Sequence, residues 1–138
     1  ALRLTQQSLA TERGRISALA RRLRDGIERR VPGARLNGHP EQRLANNVSY
    51  SFDGTDAQEL LRDLDEAGIA CSAGAACGAT TIEPSHVLLA MGISLEQAAS
   101  TLRLTLGRDT TAEDVDHLLN QLPPIVERSR ARNRVAAS

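Results

Sequence analysis

The 138 residues carry 17 basic and 17 acidic side chains, and this even balance gives no electrostatic argument for a nucleic-acid partner or an anionic membrane. The length suits a single domain, residues 1–138, and with one Phe, one Tyr and no Trp its core must consist of Leu, Ile, Val and Ala. No apolar run approaches the roughly 18 residues of a membrane span, no signal-peptide pattern opens the chain, and two cysteines suit a reducing cytosol better than a disulfide framework.

Residues 1–31 have the pattern of one long amphipathic helix. The apolar positions recur at helical spacing along one face: Leu2, Leu9, Ile16, Leu19, Leu23 and Ile27. The pattern is already running at Ala1 with no capping residue before it, so we expect a helix that links this domain to a preceding one. Pro32 and Gly33 predict its end, and the arginines on its other face are expected to be solvated, with an anion site as the alternative.

The sequence predicts four short strands, at 34–37, 48–52, 69–71 and 102–106. The clearest is the second, in which Val48, Tyr50 and Phe52 alternate with serines, as in a strand with one buried face. Short strands separated by helices fit a parallel βαβ order as well as an antiparallel sheet. His39, in the turn after the first strand, is a candidate ligand or base, although we expect an ordinary surface turn residue there.

Two helices carry the spacing of a capping box at their start. Thr55 with Gln58 predicts the start of a helix that ends at Gly68, where glycine allows the left-handed conformation. Ser94 with Gln97 predicts a second, shorter helix.

Pro84 suits the first turn of another helix, because its missing N–H is not needed there. We expect this helix to end at Gly92 and to turn Val87, Leu88 and Met91 toward the core. These helix starts would stabilise a nearby thiolate if they pointed at it.

Thr111 and an acidic first turn predict the start of the last helix. Pro123 and Pro124 predict a break or kink within it. The segment 131–138 has little apolar surface to bury and is expected to fray.

Cys77 lies in a run of small residues, with Gly74 and Gly78 on either side. Glycine leaves the backbone free to move, so we expect a loop that holds an exposed and mobile thiol, as a nucleophile requires. The alternative is a small apolar side chain in a tight turn, which is common for free cysteines. On this chemistry alone, neither interpretation is favoured.

Cys71 ends the predicted strand 69–71 in an apolar setting, and we expect a buried, inert thiol. A Cys71–Cys77 disulfide fits the spacing, but a reducing compartment disfavours it. The two cysteines and His117 do not form a zinc-binding pattern, so no metal is expected.

Arg103 alternates with Leu102 and Leu104, which places it on the opposite face of the predicted strand. Such an arginine is most often an ordinary surface residue. Its planar fork of donors is also well matched to a carboxylate.

Several longer stretches follow one another in a specific order: SAGAACGA, EPSHVLLAMG, STLRLTLGRDTT and EDVDHLL. Together, over about Leu36 to Arg130, they resemble the C-terminal part of cysteine desulfurases in the class V aminotransferase superfamily, in the iron–sulfur and nitrogenase-type branch. The resemblance implies an α/β (α+β) domain with a small, mainly antiparallel sheet of three or four strands and helices on one face. This is the small domain of fold-type I pyridoxal phosphate (PLP) enzymes.

The resemblance also implies an activity, the removal of sulfur from L-cysteine to give L-alanine and a persulfide. By the matching motifs, Cys77 would carry the persulfide and Arg103 would bind the α-carboxylate of the substrate, while we expect Arg108 to be structural. The sulfur would pass to an iron–sulfur scaffold or another sulfur-acceptor protein, and the full-length enzyme would be a cytoplasmic homodimer.

The cofactor sets a limit on what this chain does alone. PLP in such enzymes is attached to a lysine amine, and this sequence contains no lysine. We therefore expect PLP in the full-length enzyme, none bound to this chain, and no activity from the chain in isolation. Two other functions fit the sequence: a stand-alone sulfur carrier or redox module that uses Cys77 without PLP, and a non-catalytic interaction domain.

Overall fold

The computed structural model describes residues 2–73, 76–77, 82–83 and 85–136, with side chains described for 10–73 and 85–136. The helices are α1 (Leu2–Arg30), α2 (Ala57–Glu66), α3 (His86–Ala90), α4 (Leu95–Ala99) and α5 (Ala112–Ala136). The strands are β1 (Ala34–Leu36), β2 (Asn47–Phe52), β3 (Ser72–Ala73), β4 (Ala76–Cys77), β5 (Ile82–Glu83) and β6 (Thr101–Thr105).

Four of these strands form one antiparallel sheet in the order β1-β2-β6-β3. Tyr50 in β2 is paired with Leu36 of β1 on one side and with Leu102 of β6 on the other. β4 and β5 form a separate two-stranded antiparallel hairpin. The predicted antiparallel α+β fold is therefore confirmed, and the parallel order is not adopted.

One face of the sheet carries the hydrophobic core. Val48, Tyr50 and Phe52 of β2 are buried there beside Leu102 and Leu104 of β6. The long helices α1, α2 and α5 supply the other side of the core, with Ile16, Leu23, Ile27, Leu60, Leu64, Val115, Leu119 and Leu122. Each fully buried Leu, Ile or Phe contributes about 1.5–3 kcal/mol, so this face accounts for most of the stability.

The short helices α3 and α4 lie at the other face of the sheet, which is polar. Thr101 Oγ1 in β6 donates to the carbonyl oxygen of Gln97 in α4 at 2.7 Å, and Ala98 and Leu88 are buried near it. Ser51 is also fully buried, so the alternation in β2 marks one apolar and one polar buried face. The long helices lie on one face, as expected, and the short ones cover part of the other.

The predicted ends of α1 and α2 are confirmed. Gly33 and Gly68 have φ values of +78° and +77°, a conformation that glycine adopts at little cost. At the end of α2, Ile69 N–H donates back to Leu64 O at 2.9 Å, which closes the helix. The predicted strand 69–71 is therefore wrong by several residues, because Ile69 is used by the helix end and β3 begins only at Ser72.

Asp56, and not Thr55, caps α2. The Asp56 carboxylate accepts hydrogen bonds from the backbone N–H groups of Gln58 and Glu59 at 2.8 and 3.2 Å. The Thr55 hydroxyl instead donates to the carbonyl oxygen of Phe52 at 2.7 Å. An ionised carboxylate is the stronger acceptor and complements the helix dipole, so the predicted capping box was wrong by one residue.

α3 is shorter and more exposed than predicted. It begins at His86, after Ser85, and Glu83 belongs to β5; Pro84, which was expected in its first turn, lies outside the described residues. Leu88 is buried, but Val87 and Met91 are 54% and 51% exposed. The predicted core face is therefore wrong except at Leu88, since α3 lies over the polar face of the sheet and away from the main core.

Of the break or kink predicted at Pro123 and Pro124, the break does not occur, because α5 continues through both prolines. Pro123 has no N–H to donate to the carbonyl oxygen of Leu119, four residues earlier. Arg30 of α1 supplies the missing donor: its Nη1 lies 3.2 Å from Leu119 O and 2.8 Å from Asn120 Oδ1. The packing of α1 on α5 thus compensates for the proline.

α5 also includes residues 131–136 of the segment that was expected to fray. Arg132 pairs with Asp63 of α2 at 3.0 Å, and Asn133 Nδ2 donates to the carbonyl oxygen of Gly54 at 3.1 Å. Polar contacts hold this end of the helix, which apolar burial alone would not have predicted.

Candidate functional site

Arg103 is central to the polar face of the sheet. In β6 it is paired with Ser49 of β2 on one side and with Ser72 of β3 on the other, so a hydroxyl side chain flanks it on each neighbouring strand. Its side chain is exposed on the face opposite the leucines, which confirms the predicted orientation. Within the described ranges, no residue forms an ion pair or hydrogen bond with its guanidinium.

A buried hydrogen-bond network lies under this face. Ser51 Oγ is hydrogen-bonded to the side-chain amide of Asn37 at 3.1 Å and to Thr101 Oγ1 at 2.8 Å. The same amide is hydrogen-bonded to Ser49 Oγ at 3.2 Å. Ser51 and Thr101 are fully buried and Asn37 is 8% exposed, so the network fixes β1, β2 and β6 relative to one another.

Sequence reasoning missed this network. A signal was available, because Ser49 and Ser51 alternate with apolar residues in β2, as Thr101 does in β6. Such hydroxyl side chains are usually assigned to solvent. Here the cover provided by α4 buries two of them, and buried hydroxyls need partners.

A groove of about 420 Å³ runs beside Arg103, between the polar face of the sheet, the loop that follows β1, and α3. Asn37, Ser49 and Thr101 lie along it with Arg103, and Val87 and Met91 give it an apolar side. The described residues that line the groove include Arg43 and Arg103 but no Asp or Glu. Positive charge without nearby carboxylates favours an anionic ligand.

Arg43 helps to build the loop on the far side of this groove. Its Nε and Nη2 donate to the carbonyl oxygen of Asn47 at 3.2 and 3.0 Å. Burial, together with the neighbouring Arg24, lowers the pKa of the Arg43 guanidinium from its ordinary value, but an arginine stays charged in proteins. Arg103, whose donors have no partner in the part of the chain that the structure describes, is thus the better candidate for direct contact with a ligand.

Cys77 is the last residue of β4, and its backbone is paired with Ile82 of β5. The expected irregular loop is therefore wrong for the backbone at this position. Its pairing partner Ile82 is β-branched and favours an extended chain, which a count of small residues overlooks. The side chain of Cys77 lies outside the described residues, and its role as nucleophile stays a prediction.

Cys71 has the properties of an inert thiol. It is a free cysteine of intermediate burial, so the Cys71–Cys77 disulfide is not formed. Burial, and to a smaller extent the nearby Asp65 carboxylate, raise the pKa of the Cys71 thiol to about 11. Since the thiolate is the nucleophilic form, Cys71 reacts poorly at neutral pH.

The histidines with described contacts have structural roles. His39 is exposed, and its Nδ1 accepts hydrogen bonds from the backbone N–H groups of Glu41 and Gln42 at 3.1 and 2.9 Å. This confirms the predicted turn residue. His117 Nε2 lies 2.9 Å from the carbonyl oxygen of Ala67 at the end of α2.

Neither a metal-binding cluster nor a membrane-spanning helix is found in the described part of the chain. That part contains no group of three or more His, Cys, Asp or Glu side chains placed to hold a metal ion. In the same residues, no helix is both long enough and apolar enough to cross a membrane.

Arg108, which was expected to be structural, contributes through its backbone. Its carbonyl oxygen accepts a hydrogen bond from the guanidinium of Arg15 in α1, which also donates to the carbonyl oxygen of Thr110 at 2.6 Å. Arg15 thereby fixes the turn that follows β6 and, with it, the end of the strand that carries Arg103.

Comparison with known proteins places this geometry in a family. A model of the aminotransferase class-V family matches residues 1–118. The chain is 44% identical to the cysteine desulfurase IscS 1 of Archaeoglobus fulgidus over 131 residues, which are 95% of this chain and 34% of that protein. It is 43% identical to the cysteine desulfurase IscS of Clostridium botulinum strain Hall, over 94% of this chain and 33% of that protein.

The fold is similar to that of solved structures as well. The match to the X-ray structure of a NifS-like protein from Rickettsia africae covers 90% of this chain and 31% of the chain in that structure, with a TM-score of 0.77 and 25% sequence identity. The chain thus spans about a third of the length of the relatives that it matches.

Proposed function

Because the chain belongs to the aminotransferase class-V family, we propose that it is the C-terminal domain of a PLP-dependent cysteine desulfurase. The reaction takes sulfur from L-cysteine, gives L-alanine, and leaves a persulfide on Cys77. The observation that carries the proposal is the guanidinium of Arg103, which has no partner among the described residues and lies in a groove whose described lining has no carboxylate. The two curated relatives named above, both cysteine desulfurases, give the substrate.

Arg103 binds the α-carboxylate of L-cysteine. Its fork of N–H donors matches the two oxygens of a carboxylate, and charge-assisted bonds of this kind are about twice as strong as neutral ones. The buried network of Asn37, Ser51 and Thr101 keeps β6 in place, so the strand that carries Arg103 is fixed before the substrate arrives. Orientation of this kind lowers the entropy cost of the reaction.

Cys77 accepts the sulfur atom. Its thiolate attacks the sulfur of the bound substrate, so an S–S bond forms while the C–S bond of cysteine breaks. The carbon released by that cleavage takes up a proton, and the products are L-alanine and the Cys77 persulfide. No external oxidant or reductant is needed, because the thiolate supplies the electron pair of the new S–S bond and the pair of the broken C–S bond leaves with the carbon, which is reduced as the two sulfur atoms are oxidised.

The residues of this chain do not fit the attachment of PLP. The sequence contains no lysine, and an imine with PLP requires such an amine. PLP, which supplies an electron sink for the substrate, is therefore held by a domain that this chain does not contain. This chain contributes the substrate arginine and the sulfur acceptor, and we expect it to be inactive alone.

The same proposal covers the setting of the enzyme. The full-length protein would be a cytoplasmic homodimer, and Cys77 would deliver its sulfur to an iron–sulfur scaffold or another sulfur-acceptor protein. Thiolate exchange on a persulfide needs access to the outer sulfur, which an independent hairpin such as β4–β5 can provide.

Replacement of Arg103 in the full-length enzyme tests the proposal. Arg103→Ala removes a charge-assisted pair worth roughly 1.5–3 kcal/mol, so the KM for L-cysteine should rise about tenfold to a hundredfold with little change in thermal stability. Arg62→Ala, at an exposed arginine of α2 outside the groove, is the matched control and should leave KM unchanged. An unchanged KM together with lost stability in Arg103→Ala would make Arg103 a structural residue.

A further inference from the structure

A second groove, of about 490 Å³, lies between α1 and the loop that joins β1 to β2, and we call it the α1 groove. The described residues that line it include the arginines Arg13, Arg21 and Arg24 of α1 and Arg43 of the loop. Glu41 is the single acidic residue in that lining, and it is exposed. Because the net charge of the chain is zero, the positive charge of this groove is a local feature, and it favours an anionic partner.

The arginines of α1 have donors that are free to bind such a partner. The exposed side chains of Arg13 and Arg21 form no ion pair or hydrogen bond with any residue that the structure describes. Arg24 is fixed at the groove by a hydrogen bond from its Nη1 to the carbonyl oxygen of Pro40 at 2.6 Å. Among the same residues, its Nε and Nη2 have no acceptor.

Arg43 contributes positive charge more than free donors. Its Nε and Nη2 are already bonded to the carbonyl oxygen of Asn47. Burial and then the charge of Arg24 lower the pKa of the Arg43 guanidinium, so these two positive charges lie close enough to repel each other. A negative group in the groove would relieve this repulsion.

The row of arginines on α1 is too long for a small anion. Arg13 and Arg24 are separated by about three helical turns, so they lie on one face of α1 and about 16 Å apart along its axis. An extended peptide rises about 3.3 Å per residue and directs alternate side chains to the same side. About five residues of such a peptide would therefore follow the row, with an acidic side chain at every second position.

Two observations favour a protein over a nucleic acid. Proteins that bind single strands stack the bases on aromatic rings, and the only aromatic residues of this chain, Tyr50 and Phe52, are fully buried. Leu44, in contrast, is 71% exposed and lines the α1 groove. Burial of an apolar side chain against Leu44 would be favourable, so the groove suits a segment that combines acidic residues with an apolar one.

We propose that the α1 groove binds an extended acidic segment of a partner protein. The carboxylates of that segment pair with Arg13, Arg21 and Arg24, and an apolar side chain packs on Leu44. This interaction goes beyond the proposed function and is independent of it, because it needs no substrate at Arg103. For this part of α1, an anion site is thus favoured over the solvated face that the sequence led us to expect.

The test measures the binding of a fluorescein-labelled peptide to the full-length protein by fluorescence anisotropy. The peptide is extended and carries glutamate at three alternate positions, followed by leucine at the next alternate one. It should bind, and its affinity should fall as the salt concentration rises, because salt screens exposed charges. A peptide with glutamine in place of the glutamates should not bind.

Substitutions in α1 locate the binding site. Arg13→Gln and Arg21→Gln should each weaken the binding of the glutamate peptide about twofold to fivefold, as for the loss of an exposed ion pair. The two positions are about 12 Å apart, so the losses should multiply to about tenfold in the double variant. Arg29→Gln is the matched control, because it removes the same charge from an exposed arginine of α1 outside the groove, and it should leave binding unchanged.

Leu44→Ser tests the apolar contact. It should weaken the binding of the peptide that carries leucine, and it should not affect a peptide with serine in that position. The thermal unfolding midpoint should stay the same in Arg13→Gln, Arg21→Gln and Leu44→Ser, because these side chains are exposed. A loss of binding then reports on the groove and not on folding.

Three results would overturn the inference. The first is that the full-length protein does not bind the glutamate peptide at millimolar concentration. The second is an equal loss in Arg21→Gln and Arg29→Gln, which would mean a general attraction to positive charge. The third is a single-stranded RNA that binds more tightly than the peptide and is weakened by the double variant, which would make the groove a nucleic-acid site.

Discussion

A pair of glycines in α1 gives a direct test of how the long helices pack. A Cβ added at Gly26 would lie 2.4 and 2.5 Å from the two Cδ atoms of Leu119 in α5, and Leu119 is 3% exposed. At Gly14, in the same helix, a Cβ would meet nothing within 4 Å. The two positions therefore differ in packing while sharing the same helical backbone.

The expected free energies follow from two opposing effects. An Ala in place of Gly within a helix gains about 0.8–1 kcal/mol of stability, and Gly14→Ala should show this gain alone. At Gly26 the added methyl overpacks a buried contact, which typically costs about 1–3 kcal/mol. Gly26→Ala should therefore range from neutral to about 2 kcal/mol destabilising. The difference between the two variants, about 1–3 kcal/mol, is the cost of the contact with Leu119.

Urea unfolding followed by far-UV circular dichroism would measure both free energies on the same chain. The double variant Gly26→Ala with Leu119→Ala should lose less stability than the sum of the two single changes, because the smaller side chain makes room for the methyl. If Gly26→Ala stabilised the protein as much as Gly14→Ala does, α1 and α5 would not be packed at this point. The position assigned to Arg30, beside the carbonyl that Pro123 leaves unpaired, would then also be in doubt.

Two further predictions concern pH. Burial and, to a smaller extent, the hydrogen bond to Glu28 raise the pKa of Tyr50 well above its ordinary value. Tyr50 is the only tyrosine, so the folded chain should show no tyrosinate absorbance at about pH 10.5, where the unfolded chain is largely ionised. Tyrosinate absorbance of the folded chain at that pH would contradict the buried placement of Tyr50. For Cys71, whose pKa is raised to about 11, the alkylation rate in a Cys77→Ser variant should still be rising at about pH 10, where a thiol of ordinary pKa has levelled off. Both groups have a higher pKa in the folded chain than in the unfolded chain. Between those two pKa values only the unfolded chain ionises, so the free energy of unfolding falls as the pH rises through this range and is unaffected below the unfolded-state pKa values. Asp65→Asn should lower the pH midpoint of the Cys71 alkylation rate. If neither unfolding nor Asp65→Asn changes this midpoint, the Cys71 thiol is exposed.

The sequence predicts the fold well where one physical effect dominates. Val48, Tyr50 and Phe52 must share a buried face because side chains alternate along a strand. Gly33 and Gly68 mark helix ends because few other residues adopt a positive φ. These positions are determined by neighbours in the sequence, so local rules suffice for them.

The predictions that were wrong depended on partners distant in sequence. Pro123 lies inside α5 because Arg30, on another helix, bonds to the carbonyl that Pro123 cannot reach. Val87 and Met91 have core-like spacing, yet α3 packs over the polar face and leaves them exposed. The periodicity of apolar residues indicates which face of a helix or strand is apolar, but it does not indicate what that face packs against.

The candidate site was predictable in part. The orientation of Arg103 follows from the strand alternation alone. The role of Asn37 does not, because its partners Ser49, Ser51 and Thr101 lie on two other strands and become neighbours only through the register of β1, β2 and β6. A residue-type pattern cannot reveal a network that depends on register.

We propose Cys77 as the residue that accepts the sulfur of L-cysteine. The most direct measurement treats the full-length enzyme with L-cysteine in the absence of oxygen, alkylates it without reduction, and locates the added sulfur atom by peptide mass spectrometry. The account predicts a persulfide on the Cys77 peptide, its loss in Cys77→Ser, and its retention in Cys71→Ser. A persulfide on Cys71 in its place, or undiminished sulfur release from Cys77→Ser, would contradict the account.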